Sequence, residues 1–207
     1  MRKDESEFDK RVRADHHGAS LVIPCRGGLL WAISTPNFWR RIGERLYVYY
    51  QGIGGGVEQW ETFPQAAVRE GEEELGLRPG LVNPRKTFFV DGIRGTVTMV
   101  GPNERPCPLF VHRQKINRGE TLVVFNYLAG LSREPKPSSE VPALLSMPLE
   151  RLTKDRTRTI SQYLRDGCGI DEQIHIRRGA LLRPWGTPVY LLKLLKDGLL
   201  SSDMGEW

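Results

Sequence analysis

Three glutamates have a spacing that could hold a divalent cation. Glu70 is followed by Glu73 and Glu74, three and four residues later. Residues at these offsets share one face of a helix, so the three carboxylates would converge on one patch. Glu61, just before the predicted helix, is a further candidate for the same patch. Because hard cations take oxygen ligands, the pattern predicts a site for Mg²⁺ or Mn²⁺.

Arg69 is the basic residue within this acidic segment. It lies four residues before Glu73 and can pair with that carboxylate and orient it. Residues 61–76 carry five acidic groups and one basic group, a net charge of −4. The rest of the chain is basic, and the whole chain has a formal charge of +5. This distribution suits an anionic substrate held through a metal, with basic groups around it.

A well-marked helix must position these carboxylates. Thr62 and Gln65 have the spacing of a capping box, and Pro64 lies in the first turn, where its missing N–H costs little. The helix is predicted to run to about Leu75 and to end at Gly76, which favours a left-handed conformation.

The opposite face of that helix is expected to pack on a sheet. It presents Ala67, Val68, Gly71 and Leu75. A glycine inside a helix weakens it by about 0.5–1 kcal/mol. Gly71 therefore either leaves a small hole or permits closer packing, and it should affect packing more than chemistry.

The segment from Gly55 to Leu77, GGVEQWETFPQAAVREGEEELGL, resembles the Nudix box, G-x5-E-x7-R-E-U-x-E-E-x-G-U, where U is aliphatic. The matching positions are Gly55, Glu61, Arg69, Glu70, Glu73, Glu74, Gly76 and Leu77. One position departs, because Gly71 occupies the first aliphatic position. Seven fixed identities at about one in fifteen each give a chance on the order of 10⁻⁸ per starting position.

The resemblance implies a metal-dependent hydrolase of the Nudix superfamily, related to MutT. Its expected reaction is hydrolysis of the diphosphate linkage in a nucleoside diphosphate joined to another moiety, by attack of a metal-activated water. By that analogy Glu70 and Glu74 are the primary metal ligands and Glu73 is a third. The general base is expected to be one of these glutamates or a carboxylate from a later loop, and Glu140 is the candidate from that loop. Glu140 is also a further candidate metal ligand.

The glycines before the helix complete the candidate site. The run Gly52-Ile53-Gly54-Gly55-Gly56 marks a backbone that turns tightly or approaches something closely. We therefore expect Gly55 and Gly56 to contact the substrate through their backbone. The expected catalytic set is Arg69, Glu70, Glu73 and Glu74.

The 207 residues, 39% hydrophobic and 27% charged, suit one folded domain with an appendage. Strand patterns alternate with helices, which predicts an α/β/α sandwich with a mixed β-sheet. The predicted organisation is a polar N-terminal arm (1–17), a Nudix domain (18–155) and a C-terminal helical extension (156–207) packed on or completing the domain. Within the extension we expect helices at 157–165 and 188–198.

Composition also bears on location and partners. No apolar run approaches the roughly 20 residues of a membrane-spanning helix, and the first fifteen residues are too charged for a secretory signal. The three cysteines lack CxxC spacing, which favours reduced thiols in the cytoplasm. A small nucleotide-type diphosphate is the favoured partner. Binding of nucleic acid is less favoured but is not excluded by the sequence, and neither is formation of a homodimer.

Two other functions compete with the leading one. A Nudix-like domain could sense a nucleotide and regulate transcription through a DNA-binding appendage, but the C-terminal segment lacks a clear recognition helix. The second alternative function is that of a hydrolase that removes caps from RNA ends. Residues 77–140 carry a net charge of +5, which would favour binding of a polyanion. The sequence does not identify the leaving group.

Overall fold

The computed structural model describes residues 7–25, 28–101, 105–154 and 157–207. In these ranges the chain forms five α-helices and one mixed sheet of fourteen strands. The helices are α1 Glu7–Arg11, α2 Phe63–Leu75, α3 Leu149–Leu152, α4 Ile160–Arg165 and α5 Thr187–Lys196. The strands are β1 His16–Cys25, β2 Gly28–Ile33, β3 Arg40–Ile42, β4 Arg45–Gln51, β5 Ile53–Gly56, β6 Gly80–Val82, β7 Thr87–Asp91, β8 Thr96–Val100, β9 Phe110–Lys115, β10 Thr121–Gly130, β11 Ala143–Pro148, β12 Arg158–Thr159, β13 Gly169–Glu172 and β14 Leu181–Pro184.

The sheet is built around the long strand β1. Its main path runs β12-β14-β4-β2-β1-β10-β9-β7-β8. The pairs β1–β10, β7–β9 and β14–β4 are parallel, and the other pairs along this path are antiparallel. Shorter branches join it, with β5 antiparallel to β1 and β11 antiparallel to β2. The predicted mixed sheet is therefore confirmed.

Strand alternation divides the interior into two hydrophobic cores. Ala19 and Leu21 of β1 pack in one core together with Ala66 and Leu75 of α2. Val22 belongs to the other core, which includes side chains of β2, β4, β11, β14 and α5. Successive residues of a strand point to opposite faces, so β1 supplies both cores. Helices thus cover both faces, as expected for an α/β/α sandwich.

Helix α2 forms as its sequence predicts. The Thr62 backbone N–H donates to Gln65 Oε1 at 2.8 Å, and the capping box is complete. The helix ends at Gly76, whose φ of 62° is left-handed. On the inner face, a Cβ on Gly71 would lie 2.7 Å from Pro79 Cγ and 2.8 Å from Leu21 Cδ1. Gly71 therefore permits closer packing and leaves no hole.

The described part of the predicted N-terminal arm contains a helix and the start of a strand. Residues 1–6 lie outside the described part of the chain, but helix α1 follows and β1 begins at His16. The Phe8 ring meets the edge of Phe125 with centroids 6.5 Å apart. His17 Nε2 lies 2.9 Å from the Val12 carbonyl oxygen. The boundary at residue 17 stays a prediction, as does the rest of the domain division.

The C-terminal segment contains strands as well as helices. The structure begins α4 at Ile160, three residues later than predicted, because the Thr159–Gln162 capping box starts it there. Arg158 and Thr159 instead pair with β14 as β12. Strand β14 in turn lies parallel to β4, so the segment extends the sheet.

None of the described helices combines the length and apolar character needed to cross a membrane. Cys25, Cys107 and Cys168 form no disulfide.

Candidate active site

Helix α2 places two glutamates against the glycine strand β5. The Gly54 backbone N–H donates to Glu74 Oε2 at 3.1 Å, and Glu74 is only 8% exposed. A Cβ on Gly55 would lie 2.5 Å from Glu70 Oε1. Any side chain at position 55 would therefore displace the Glu70 carboxylate. The glycine run therefore makes the predicted close approach, and the groups that it approaches are the side chains of Glu70 and Glu74.

Burial disfavours the charged form of the Glu70 and Glu74 carboxylates when no cation is present. It raises the pKa of Glu74 to about 8, and the charge of Glu70 adds to the rise. Burial also raises the pKa of Glu70, although the Arg69 guanidinium acts in the opposite direction. A nearby cation would favour the charged form of both groups. The pair is therefore suited to a bound positive charge.

Arg69 connects the remaining carboxylates. Its Nε donates to Glu61 Oε2 at 3.1 Å and its Nη2 donates to Glu61 Oε1 at 2.9 Å. Its Nη1 lies 2.7 Å from Glu73 Oε2 and 2.9 Å from Glu70 Oε1. Its Nη2 also donates to the Gly56 carbonyl at 3.0 Å. One guanidinium thus joins the helix to the loop before it and to the end of β5.

Glu61 and Glu73, the two carboxylates that Arg69 contacts besides Glu70, differ in their surroundings. The hydrogen bond from Arg69 lowers the pKa of Glu61, which keeps that group ionised. The same hydrogen bond raises the pKa of Arg69 above its ordinary value. Glu73 remains more open, with a side chain that is 40% exposed.

The later loop reaches the same helix. The Ser138 backbone N–H donates to the Glu74 carbonyl oxygen at 3.0 Å, and the Glu140 N–H donates to Ser138 Oγ at 3.2 Å. The charge of Glu140 contributes to the raised pKa of both Glu70 and Glu74. The structure therefore brings Glu140 into electrostatic range of the two glutamates, while its own side chain stays exposed.

The chemistry of this donor set fits a hard divalent cation, since it consists of carboxylates that repel one another. Across the described ranges, no group of three or more His, Cys, Asp or Glu side chains is arranged so that it could hold a metal ion. The ligand assignments to Glu70, Glu73, Glu74, Glu61 and Glu140 therefore stay predictions.

A cleft of about 930 Å³ reaches the same glycine strand. The backbone of Gly54–Gly56 forms one part of its lining, and His112 and Thr187 lie in another. The exposed rings of Phe38 and Trp185 also line it. Pockets of roughly 300–1,000 Å³ hold small ligands and cofactors, so the cleft has the capacity for a nucleotide. The carboxylates and the cleft meet at β5.

Sequence reasoning did not identify the buried polar residues that line this cleft or contact its lining. His112 is fully buried. Ser20 and Asn126 are also buried and lie in otherwise apolar strands, at positions that share the His112 face of the sheet. The sequence signal for such residues is a polar side chain at a strand position that faces inward. A buried polar group needs a hydrogen-bond partner, so a residue of this kind marks a polar contact inside the fold.

Comparisons with known proteins identify the family of this chain. The model of the NUDIX domain family matches residues 15–165, more than half of the chain, and the chain therefore belongs to the Nudix family. It is a Nudix-type hydrolase, which confirms the predicted family and class of enzyme. A comparison with curated proteins finds no match.

Several solved structures are similar to parts of this chain. A MutT NUDIX hydrolase from Burkholderia pseudomallei is 23% identical, with 69% of this chain and 87% of that chain covered and a TM-score of 0.43. A NUDIX family hydrolase from Clostridium perfringens is 21% identical, with coverage of 68% and 86% and a TM-score of 0.44. An Ap4A hydrolase from C. elegans, in a binary complex, is 19% identical, with coverage of 67% and 84% and a TM-score of 0.43.

Proposed function

We propose that the protein hydrolyses the diphosphate linkage of a nucleoside diphosphate joined to another moiety. The observation that carries this proposal is the position of Glu70 and Glu74, which lie against β5, the strand whose glycines also line the cleft. A substrate in the cleft would have its phosphates beside the carboxylates. The capacity of the cleft, about 930 Å³, suits a small nucleotide.

The residues that would hold Mg²⁺ or Mn²⁺ are Glu70 and Glu74, with Glu73 as a third ligand and Glu61 and Glu140 as further candidates. When bound, a divalent cation neutralises phosphate charge and makes a coordinated water more acidic. Arg69 keeps Glu61 and Glu73 in place through the contacts described above. Its role is to position the carboxylates, while the backbone of Gly55 and Gly56 borders the substrate.

The proton from the attacking water goes to a carboxylate in this reaction. The water oxygen forms a bond to one phosphorus, and the bond from that phosphorus to the bridging oxygen breaks. Each product then carries its own phosphate. Glu140 is the candidate base from the later loop, and the helix glutamates are the alternatives. We also propose a cytoplasmic location, because the number and spacing of the cysteines do not match a disulfide framework.

A substrate panel with Mg²⁺ tests the proposal. Nucleoside triphosphates, nucleotide sugars, dinucleotide cofactors and capped RNA are each incubated with the enzyme, and ³¹P NMR identifies the products. We expect at least one of these compounds to be cleaved between two phosphorus atoms. A protein that releases no phosphate product from any of them, yet binds DNA at physiological salt, would instead support the sensor hypothesis.

Two glutamine variants on the same helix sharpen this test. Glu74→Gln removes a buried carboxylate beside β5 and should abolish turnover. Glu72→Gln is the matched control, because Glu72 is exposed and pairs with Arg78 on the surface. The control should keep activity close to that of the wild type. Undiminished Mg²⁺-dependent activity of Glu74→Gln would refute the assignment, provided that circular dichroism shows both variants folded.

A further inference from the structure

A hydrogen-bond network that joins four segments of the chain borders the cleft through Ser20, His112 and Thr187. The Thr187 hydroxyl, at the start of α5, donates to Asn126 Oδ1 on β10 at 2.7 Å. Ser20 Oγ on β1 lies 3.1 Å from Thr187 Oγ1. Asn126 Nδ2 lies 3.1 Å from His112 Nδ1 on β9. The four side chains are all buried.

This network fixes which nitrogen of His112 carries the proton. Asn126 Nδ2 donates its two hydrogens to the carbonyl oxygens of Phe110 and Val124, at 3.1 and 3.0 Å, and carbonyls only accept. The amide nitrogen is therefore the atom that faces His112 Nδ1, and an amide nitrogen does not accept a hydrogen bond. A proton on Nδ1 would face this nitrogen with no acceptor, so Nδ1 is the unprotonated nitrogen. The neutral ring then carries its proton on Nε2.

That Nε2–H has no acceptor in the described protein. His112 is completely buried, and its Nε2 makes no hydrogen bond within the described residues. Burial lowers the pKa of His112 to about 3, so the ring is neutral under ordinary conditions. The Tyr190 ring stacks on one face of the imidazole with centroids 4.2 Å apart, which restricts its movement. Buried donors normally have a partner, so an unsatisfied one in a cleft indicates a ligand.

The lining of the cleft is mostly uncharged and partly aromatic. Ser34 also lines the cleft, and its buried hydroxyl likewise has no partner among the described residues. The rings of Phe38, Tyr49 and Trp185 line the cleft as well, and Asp15 and Arg40 are charged residues of its lining. Aromatic faces stack on planar rings, whereas a phosphate or a carboxylate would need more positive charge. The cleft therefore suits a planar, uncharged heterocycle with a hydrogen-bond acceptor.

We propose that His112 is a specificity-determining residue whose Nε2–H donates a hydrogen bond to an acceptor atom of the substrate's nucleobase. This inference rests on the proposed function, because it assigns one end of a nucleoside diphosphate substrate. The base occupies the inner part of the cleft, and its diphosphate extends past Gly54–Gly56 toward Glu70 and Glu74. The acceptor is a carbonyl oxygen or an unprotonated ring nitrogen of the base.

Nitrogen NMR of histidine tests the assignment directly. With ¹⁵N-labelled protein and no metal, we expect the His112 Nε2 to be protonated and the Nδ1 unprotonated between pH 6 and 8. AMP, GMP, CMP and UMP are then titrated separately. At least one of them should shift the Nε2–H signal to the position of a hydrogen-bonded proton. His175, whose side chain is exposed and which does not line the cleft, serves as the internal reference.

Ribose 5-phosphate is the control ligand, because it keeps the sugar and the phosphate but lacks the base. It should leave the Nε2–H signal unchanged. An equal shift with ribose 5-phosphate would overturn the assignment to the base and would place a sugar or phosphate group at His112. A protonated Nδ1 would also overturn it.

Two substitutions separate hydrogen bonding from packing. His112→Phe keeps a flat ring beside Tyr190 but removes the donor, and it should weaken binding of the preferred monophosphate about tenfold. His112→Gln keeps an uncharged N–H donor near the Nε2 position and should restore part of that loss. Affinity for ribose 5-phosphate should be the same in all three proteins. Equal losses for the nucleotide and for ribose 5-phosphate would show a merely structural role.

The two proposals fail in different ways. If no nucleotide is hydrolysed by the wild-type enzyme, the proposed function fails, whatever the NMR shows. If nucleotides are hydrolysed and His112→Phe retains wild-type kcat/KM and wild-type preference among the four bases, only the role of His112 fails.

Discussion

Arg69 and Glu61 form a two-contact ion pair, with Nε and Nη2 of the guanidinium donating to the two carboxylate oxygens at 3.1 and 2.9 Å. The pair connects the helix that carries the glutamates to the loop that precedes it. Since Arg69 also contacts Glu70, Glu73 and Gly56, its loss would release several groups together.

Arg69→Lys should lower activity although it keeps the positive charge. An ammonium group lacks the planar fork that donates to both oxygens of Glu61. Loss of a group that orients metal ligands typically costs about 10–100-fold in activity or metal affinity. Steady-state kinetics at several Mg²⁺ concentrations measures this. A variant with wild-type kcat and the wild-type Mg²⁺ requirement would show that the charge alone suffices.

Gly55→Ala should impair catalysis with little loss of fold. The added Cβ would lie 2.5 Å from Glu70 Oε1, so the carboxylate must move. At Gly56 the same addition meets nothing within 4 Å, and Gly56→Ala should lose much less activity. The ratio of the two kcat/KM values is the measurement. Equal losses would show that the position of Glu70 is not what limits the reaction.

Mg²⁺ should raise the melting temperature of the wild-type protein. Bound metal offsets the repulsion between the buried carboxylates, and a ligand at ten times its Kd adds about 1.4 kcal/mol. For a chain of this size that corresponds to a rise of about 3–6 °C, which EDTA should reverse. Differential scanning calorimetry of the wild type and of Glu74→Gln provides the comparison. The same shift in both proteins would place the metal elsewhere.

Gly71→Ala should destabilise the protein, although alanine is the better helix former. Overpacking typically costs about 1–3 kcal/mol, whereas the gain in helix propensity is about 0.5–1 kcal/mol. The contacts with Pro79 and Leu21 predict a net loss of about 1–2 kcal/mol. Urea denaturation measures it, with exposed Glu72→Ala as the control on the same helix. A more stable Gly71→Ala would mean that the packing around the helix can relax.

Acid should destabilise the wild type more than His112→Gln. The pKa of His112 is about 3 in the folded protein against an ordinary 6.5, because burial disfavours the charged ring. Stability from the neutral histidine is therefore present above pH 6.5 and falls as the pH decreases toward 3, by at most about 1.4 kcal/mol per pH unit. Glutamine does not titrate. Denaturation at pH 7 and pH 5 should show a growing difference, and parallel losses would contradict the burial of a neutral ring.

The sequence predicts the parts of the site that are encoded locally. Thr62, Gln65 and Gly76 define helix α2 through capping, and that helix forms as expected. The contacts of Arg69 with Glu61 and Glu73 also follow from spacing along one helix and its entry loop. Local signals of this kind depend on residues a few positions apart, so a single sequence is sufficient to read them.

The inner cleft could not be predicted in the same way. His112, Asn126 and Thr187 come from β9, β10 and the start of α5, and no spacing rule connects them. Their contact depends on the pairing of β9 with β10 and on the packing of the C-terminal segment. The strands β12 and β14 were missed for a related reason, since they have only two and four residues and form through distant partners.

The attachment of β14 to β4 has a consequence for comparing relatives of this enzyme. It brings Trp185 and Thr187 to the cleft from beyond the stretch matched by the NUDIX family model, which ends at residue 165. Two homologues with identical acidic motifs can therefore differ in ligand preference through changes in their final forty residues. Exchanging that terminal portion between such homologues should transfer base selectivity and leave the hydrolytic step intact.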